Sequence, residues 1–369
     1  MKFIDLNQQY QNLKASINAR IQVVLDHGQY IDGPEIAALE NRLAEFVGVK
    51  HCITVSSGTS ALQLALMALD IQPGDEVITS PFSFFATVEV LIMLGAKPVF
   101  VDIDQKTYNI NPEWIEKAIT ARTKVLMPVS LYGQCADMDR INAIAKKHRL
   151  NVIEDGAQSF GATYKSRLSC GLSTIGCASF FPSKPLGCYG DGGACFTNLD
   201  ELADKIRLLR NHGQAERYYH TQIGMNARFD TIQAAILLAK LDVFQEELEQ
   251  RQRLARCYYR KLSNQIIVPY VEPYNVSTYA QYTIQVDDRE AIQAGLASLG
   301  IPTAVHYPKP LNKQPALLAV YHDDKVYPNA EAAAARVLSL PFHPYLSESM
   351  VTTLTDHLLA LLSRQSVNA

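Results

Sequence analysis

The chain has 369 residues, 48% of them apolar, which suits a large α/β domain with a smaller companion. Its 34 basic and 37 acidic residues are interspersed and leave a net charge of −3, against a general nucleic-acid or anionic-membrane binder. Seven scattered cysteines and nine histidines without paired ligand spacing predict reduced thiols and no metal centre. The first residues lack a basic segment followed by an apolar run, and no apolar stretch reaches the ~18 residues of a membrane span. A soluble, cytoplasmic protein is expected.

Residues 11–28 and 34–47 read as amphipathic helices around a turn, with Pro34 placed at a helix start. Residues 51–55 read as a buried strand, and 61–69, apolar almost all round, as a buried helix. Strand-like runs at 76–79, 98–101, 124–128 and 151–154 alternate with helix-like runs at 83–94, 112–120 and 137–148. Such alternation predicts a mostly parallel sheet covered on both faces. Residues 177–181 and 193–197 read as further strands of possible antiparallel sense. Residues 227–263 form one helical stretch whose charged middle, 245–253, reads as a solvated face. The remainder, with a strand at 280–286 and two helices, suits a smaller α+β domain. The expected division is 1–245 for the large domain and 246–369 for the small one.

Lys184 lies in Ser179-Phe180-Phe181-Pro182-Ser183-Lys184-Pro185-Leu186-Gly187, just ahead of Gly190, Gly192 and Gly193. Asp155 ends an earlier strand-like run, where open α/β sheets bind ligands. A lysine in a Gly-rich pocket with a strand-end carboxylate suggests pyridoxal phosphate. That cofactor condenses with a lysine amine, and its ring nitrogen takes an acidic partner. Ser56-Ser57-Gly58-Thr59-Ser60 sits between strand and helix, where free N–H groups and hydroxyls suit a phosphate. An ordinary Ser/Thr cap has the same composition. Gln158 offers an amide to the cofactor's phenolic oxygen, or is a plain solvated side chain. The segment Phe82-Ser83-Phe84-Phe85 offers a ring to stack on the pyridine, or core packing. Asn226 and Arg228 precede a helix, and the arginine suits a carboxylate or phosphate. A pair between Arg228 and Asp230 is the ordinary alternative. The spacing of the glycines rules out the nicotinamide-binding fingerprint.

Together these residues give a resemblance that spans essentially the whole chain. Phe3-Ile4-Asp5-Leu6, Gly58-Thr59-Ser60-Ala61-Leu62, Glu154-Asp155-Gly156-Ala157-Gln158, Ser179-Phe180-Phe181-Pro182-Ser183-Lys184, Asn226-Ala227-Arg228 and His306-Tyr307-Pro308 resemble the DegT-like sugar aminotransferases. Within that family, Pro128-Val129-Ser130-Leu131-Tyr132-Gly133-Gln134, the glycine cluster after Lys184 and Pro302-Thr303-Ala304-Val305-His306 look most like UDP-2-acetamido-2-deoxy-ribo-hexuluronate aminotransferases.

The resemblance implies an α/β pyridoxal-phosphate-dependent transferase of fold type I, aspartate-aminotransferase-like. It implies Lys184 as Schiff-base lysine and proton shuttle, Asp155 on the ring nitrogen, Gln158 on the phenolic oxygen and Phe84 as the stacking ring. Gly58, Thr59, Ser60 and Ser179 would hold the phosphate. Asn226 would reach it from a partner subunit, which implies a homodimer with shared active sites. Arg228 would meet a uronate carboxylate, with His306 and Tyr307 lining the sugar pocket. The expected reaction moves an amino group from glutamate to C3 of a UDP-linked 3-keto N-acetylhexosaminuronate, for the O-antigen sugars of bacterial lipopolysaccharide. The alternative is C3 or C4 of a neutral 6-deoxy keto nucleotide sugar. Related sugar dehydratases carry histidine in place of Lys184. Three positions depart from the family's habit: Gly156 where alanine is frequent, Asp32 where an apolar residue is common, and Ser166 where glycine is frequent.

Overall fold

The computed structural model describes residues 1–368, with side chains through residue 363. Helices α1 (Leu6–His27) and α2 (Pro34–Val47) precede strand β1 (His51–Val55). Helix α1 begins five residues earlier than its apolar periodicity suggests, because its first turn is polar. Asp5 caps it by accepting the Gln8 N–H at 2.9 Å. The alternation continues through α3 (Gly58–Ala68), β2 (Glu76–Thr79), α4 (Ala86–Met93), β3 (Lys97–Phe100), α5 (Pro112–Ala118), β4 (Thr123–Leu126), α6 (Met138–His148) and β5 (Asn151–Asp155). A hairpin of β6 (Thr163–Tyr164) and β7 (Arg167–Leu168) leads to β8 (Ile175–Ser179), β9 (Gly193–Thr197) and α7 (Asp200–Leu209).

The main sheet has the order β1-β9-β8-β5-β4-β2-β3. Pairings from β8 across to β3 are parallel, while β9 is antiparallel to both β8 and β1. Only the second of the two strands flanking Lys184 is therefore reversed. Every residue of β2, β8 and β9 is buried, as expected of a sheet covered on both faces. One face packs Ile53, Leu64, Val77, Ile153 and Ile206 together. The other packs Leu39, Phe160, Phe180, Phe196 and Leu237.

After the hairpin β10 (Gln214–Glu216) and β11 (Tyr219–His220), the chain forms α8 (Thr231–Leu241) and α9 (Phe244–Leu262). The single helical stretch expected over 227–263 is thus two helices. They part at Asp242 and Val243, and Val243 leaves helical geometry with φ −116°. The charged middle of α9 is a solvated face only in part: Gln245, Glu246, Glu249 and Arg253 are exposed, but two charged residues turn inward. Glu247 and Arg251 are buried. Glu247 accepts from Gln9 Nε2 at 2.9 Å and from the Tyr345 hydroxyl, and Arg251 donates to the Tyr279 carbonyl at 3.1 Å. Charge density marks a solvated face only where no polar partner arrives from elsewhere in the chain.

Strand β12 (Asn275–Val276) joins β6, and β13 (Tyr282–Gln285) pairs antiparallel with β14 (Val337–Leu340). Helices α9, α10 (Arg289–Ser298) and α13 (Glu348–Asn368) pack on that pair around Tyr258, Ile284, Leu296, Leu338 and Leu354. Two further helices, α11 (Pro315–Leu318) and α12 (Pro328–Arg336), make four where two are expected. The first is a single turn, and the second buries a small-residue face of Ala330, Ala333 and Ala334. A boundary after residue 245 falls in the first turn of α9. All seven cysteines are free and buried. Among the described residues, no helix is long and apolar enough to cross a membrane.

Candidate active site

Strands β1, β2, β5 and β8 run the same way, so their C-terminal ends open on one edge of the sheet. The segments leaving them carry Gly58, Phe84, Asp155 and Lys184. Open parallel sheets bind ligands at this edge.

Beyond β1, Ser57 caps α3 in extended conformation and its Oγ accepts the Ser60 N–H at 3.0 Å. The Ser60 hydroxyl lies 2.9 Å from both the Ser56 and the Ser57 hydroxyls. Gly58 rests on Ser179: a Cβ there would lie 2.7 Å from the Ser179 Cβ. Bringing these two segments together gathers hydroxyls and the first N–H groups of an eleven-residue helix into one cup. That is the chemistry of an anion site.

Asp155 ends β5 and is buried. Its Oδ2 accepts from the Thr87 hydroxyl at 2.9 Å and its Oδ1 from the Ala157 N–H at 3.2 Å. Burial pushes the carboxyl up, while those two donors and the charge of Lys184 pull it back. Lys184 follows β8 in a turn closed by its own N–H to the Phe181 carbonyl at 2.9 Å. The residue is partly buried. Desolvation of its amine brings the pKa down to about 8, against the pull of Asp155. A lysine so placed gives up its proton far more readily than a solvated one, as a nucleophile or base must.

Gln158 is buried and committed within the protein. Its Oε1 accepts the Tyr132 N–H at 2.9 Å, and its Nε2 donates to the Tyr307 hydroxyl at 2.9 Å. The Tyr132 hydroxyl donates to the His306 carbonyl. These bonds tie the loop after β13 and α10 to the strand ends, and so bring His306 and Tyr307 to the site. Burial and the charge of Lys184 bring His306 down to about 4, leaving a neutral imidazole whose Nδ1 lies 2.9 Å from the Ser339 hydroxyl. Phe84 leads into α4, half exposed, with its ring 6.1 Å from that of Tyr307.

Asn226, Ala227 and Arg228 run beside the cup, where the Ala227 carbonyl accepts the Ser56 N–H at 2.9 Å. Ala227 is buried, Asn226 exposed and Arg228 partly buried. Among the described residues, Arg228 has no carboxylate partner and forms no pair with Asp230. Its guanidinium donates to the amide oxygens of Asn226 at 3.2 Å and Asn211 at 3.3 Å.

Three contributors escaped the sequence reading. Thr87 bonds Asp155, Tyr132 bonds Gln158, and the buried Lys240 donates to the Gly187 carbonyl in the Lys184 turn. The recurrence of hydroxyls at Ser83 and Thr87, one helical turn apart, was the available signal for the first. The donor set fits pyridoxal phosphate. It provides a desolvated amine, a buried carboxylate one strand away and a hydroxyl-lined helix start.

The architecture is that of the α/β, aspartate-aminotransferase-like transferases of fold type I. The DegT/DnrJ/EryC1/StrS aminotransferase family profile matches residues 11–359, and the chain belongs to that family. It is similar to the UDP-2-acetamido-2-deoxy-3-oxo-D-glucuronate aminotransferase of Pseudomonas aeruginosa, 57% identical over 353 residues, covering 95% of this chain and 97% of that one. A DegT/DnrJ/EryC1/StrS aminotransferase from Brucella abortus superposes with a TM-score of 0.95 at 42% identity, covering 98% of this chain and 99% of that one. NtdA of Bacillus subtilis, solved with bound cofactor PMP, gives 0.91 at 30% identity, over 98% and 85% of the two chains.

Proposed function

We propose that this aminotransferase moves an amino group from L-glutamate to C3 of UDP-2-acetamido-2-deoxy-3-keto-glucuronate, as a cytoplasmic homodimer with shared active sites. The product would enter O-antigen sugar synthesis. The name of the Pseudomonas aeruginosa relative supports this substrate. The observation that carries it is Arg228, a partly buried guanidinium braced by two amides and, among the described residues, lacking an acid of its own. Such a cation at the site's edge suits the carboxylate that distinguishes a uronate from a neutral sugar.

The cofactor is pyridoxal phosphate, which supplies an aldehyde to carry the amino group and a protonated ring that withdraws electrons from the reacting carbon. Residues Gly58, Thr59, Ser60 and Ser179 would hold its phosphate, joined by Asn226 of the second subunit. Asp155 would hold the proton on the ring nitrogen, and Phe84 would cover the ring's face. Gln158 has one amide hydrogen beyond its bond to Tyr307, and that hydrogen would serve the phenolic oxygen. Lys184 Nζ is the base that takes the substrate's proton and gives it back. Neutral His306 and Tyr307 would line the sugar's side of the pocket. The division into 1–245 and 246–369 belongs to the same proposal, with the smaller part carrying His306 and Tyr307.

Turnover with the UDP-linked 3-keto uronate and glutamate tests the reading. Arg228→Ala is expected to weaken use of the uronate about 100-fold, the scale of leaving a bound charge unpaired, and to spare a neutral analogue. Equal losses on both substrates would dismiss the carboxylate assignment.

A further inference from the structure

We propose that Thr87 is a positioning residue for the cofactor's ring: its hydroxyl fixes Oδ2 of Asp155, backed by Ser83, and so aims the carboxylate at the ring nitrogen. This inference rests on the assignment of Asp155 in the proposed function. Thr87 and Ser83 are both buried, at 0% and 4% exposure, so neither hydroxyl has water as an alternative partner.

The hydrogen bonds have one consistent direction. Ionised Asp155 only accepts, so the single hydroxyl proton of Thr87 is spent on Oδ2 at 2.9 Å. The Ser83 hydroxyl, 2.9 Å from Thr87 Oγ1, must then donate to Thr87. A chain of two hydroxyls thus runs from the segment before α4 into the carboxylate. The Ala157 N–H occupies Oδ1 at 3.2 Å. With one donor on each oxygen, the carboxylate has a set rotation and still has a lone pair open on each oxygen for a further donor. The segment that carries Thr87 also carries Phe84. One helix start therefore sets both the acid beneath the ring nitrogen and the aromatic over the ring.

The electrostatic setting makes Thr87 matter. Besides Lys184, the groups facing Asp155 are Glu154 on its own strand, Tyr307 from the small-domain loop, Cys177 on β8 and Cys170 before it. Only Lys184 favours the ionised form by charge. Burial opposes it, and the Thr87 hydroxyl is the nearer of the two uncharged donors that sustain it.

Apoprotein titrated with pyridoxal phosphate across pH 5 to 9 is the test, using Thr87→Val, Thr87→Ser, Ser83→Ala and Asp155→Asn. Valine keeps the shape and removes the donor. Thr87→Val is expected to raise the dissociation constant roughly 10-fold or more, the scale of one hydrogen bond to a charged group. It should also move the acid limb of binding about one pH unit upward, because the undonated carboxylate takes up a proton more readily. Thr87→Ser should restore both, and Ser83→Ala should weaken binding a few-fold. Wild-type affinity and pH profile in Thr87→Val, with binding lost in Asp155→Asn, would overturn the role of Thr87 alone. Unchanged binding in Asp155→Asn would overturn the reading of Asp155 beneath it. Equal losses in Thr87→Val and Thr87→Ser would show a packing effect and overturn the proposal as well.

Discussion

Gly156 offers a sharp test of how the strand end that carries Asp155 is built. A Cβ added there would lie 2.6 Å from the Cys170 Sγ and 3.1 Å from the Cys177 carbonyl oxygen. Ordinary contact with carbon lies near 3.5–4.0 Å, so the sulfur would be overlapped by about 1 Å. Neither neighbour yields freely. The Cys177 carbonyl accepts the Gly156 N–H at 2.8 Å, and Cys177 pairs with Asp155 in the parallel ladder. The Cys170 N–H is held at 2.8 Å by the buried carboxylate of Glu154. Gly156→Ala should therefore cost about 1–3 kcal/mol, the range for overpacking, and lower the melting temperature by roughly 2–6 °C. In a Cys170→Ala background the overlap with sulfur is gone. The same substitution should then cost less than about 1 kcal/mol, leaving a favourable coupling of 1 kcal/mol or more in the double-mutant cycle. Melting curves of the four apoproteins supply that cycle. Equal costs of Gly156→Ala in both backgrounds would refute the steric argument. In this chain the Cys170 sulfur fills the place that a methyl group at position 156 would take.

Two other outcomes follow from the geometry. Replacing Lys184 with Met should raise the melting temperature of the apoprotein at pH 7. The amine's pKa falls from 10.5 unfolded to about 8 folded, so the folded state resists the charged form. The penalty is fully present below pH 8 and fades as pH rises toward 10.5. The gain, on the order of 1–3 kcal/mol, should shrink over that window, and a gain independent of pH would contradict the desolvation account. In the β6–β7 hairpin, Lys165 and Ser166 both have positive φ, 48° and 65°. Ser166→Gly should relieve strain at the second position and stabilise by about 0.5–1 kcal/mol, read as a rise in melting temperature; a fall would count against it.

Local pattern carried much of this molecule. The strand–helix alternation from 51 to 155 reads directly, because each strand is a short apolar run bounded by polar turns. The parallel sheet then places Gly58, Asp155 and Lys184 at one edge. Boundaries are less legible where local chemistry is atypical, as in the polar first turn of α1. Glu247 and Arg251 were misread as solvated because their partners, Gln9, Tyr345 and Tyr279, come from distant segments.

The same distinction separates the parts of the site. Residue order alone established a lysine, a strand-end acid and a hydroxyl-rich helix start, since each rests on side-chain type and position within one element. Which partners those groups acquire was decided by tertiary structure. Thr87 reaches Asp155 across the sheet edge, Gln158 is bonded to Tyr307, and Arg228 has no acid beside it among the described residues. Hydrogen bonds and desolvation act through distances of a few ångströms, and only folding brings residues far apart in sequence within that range.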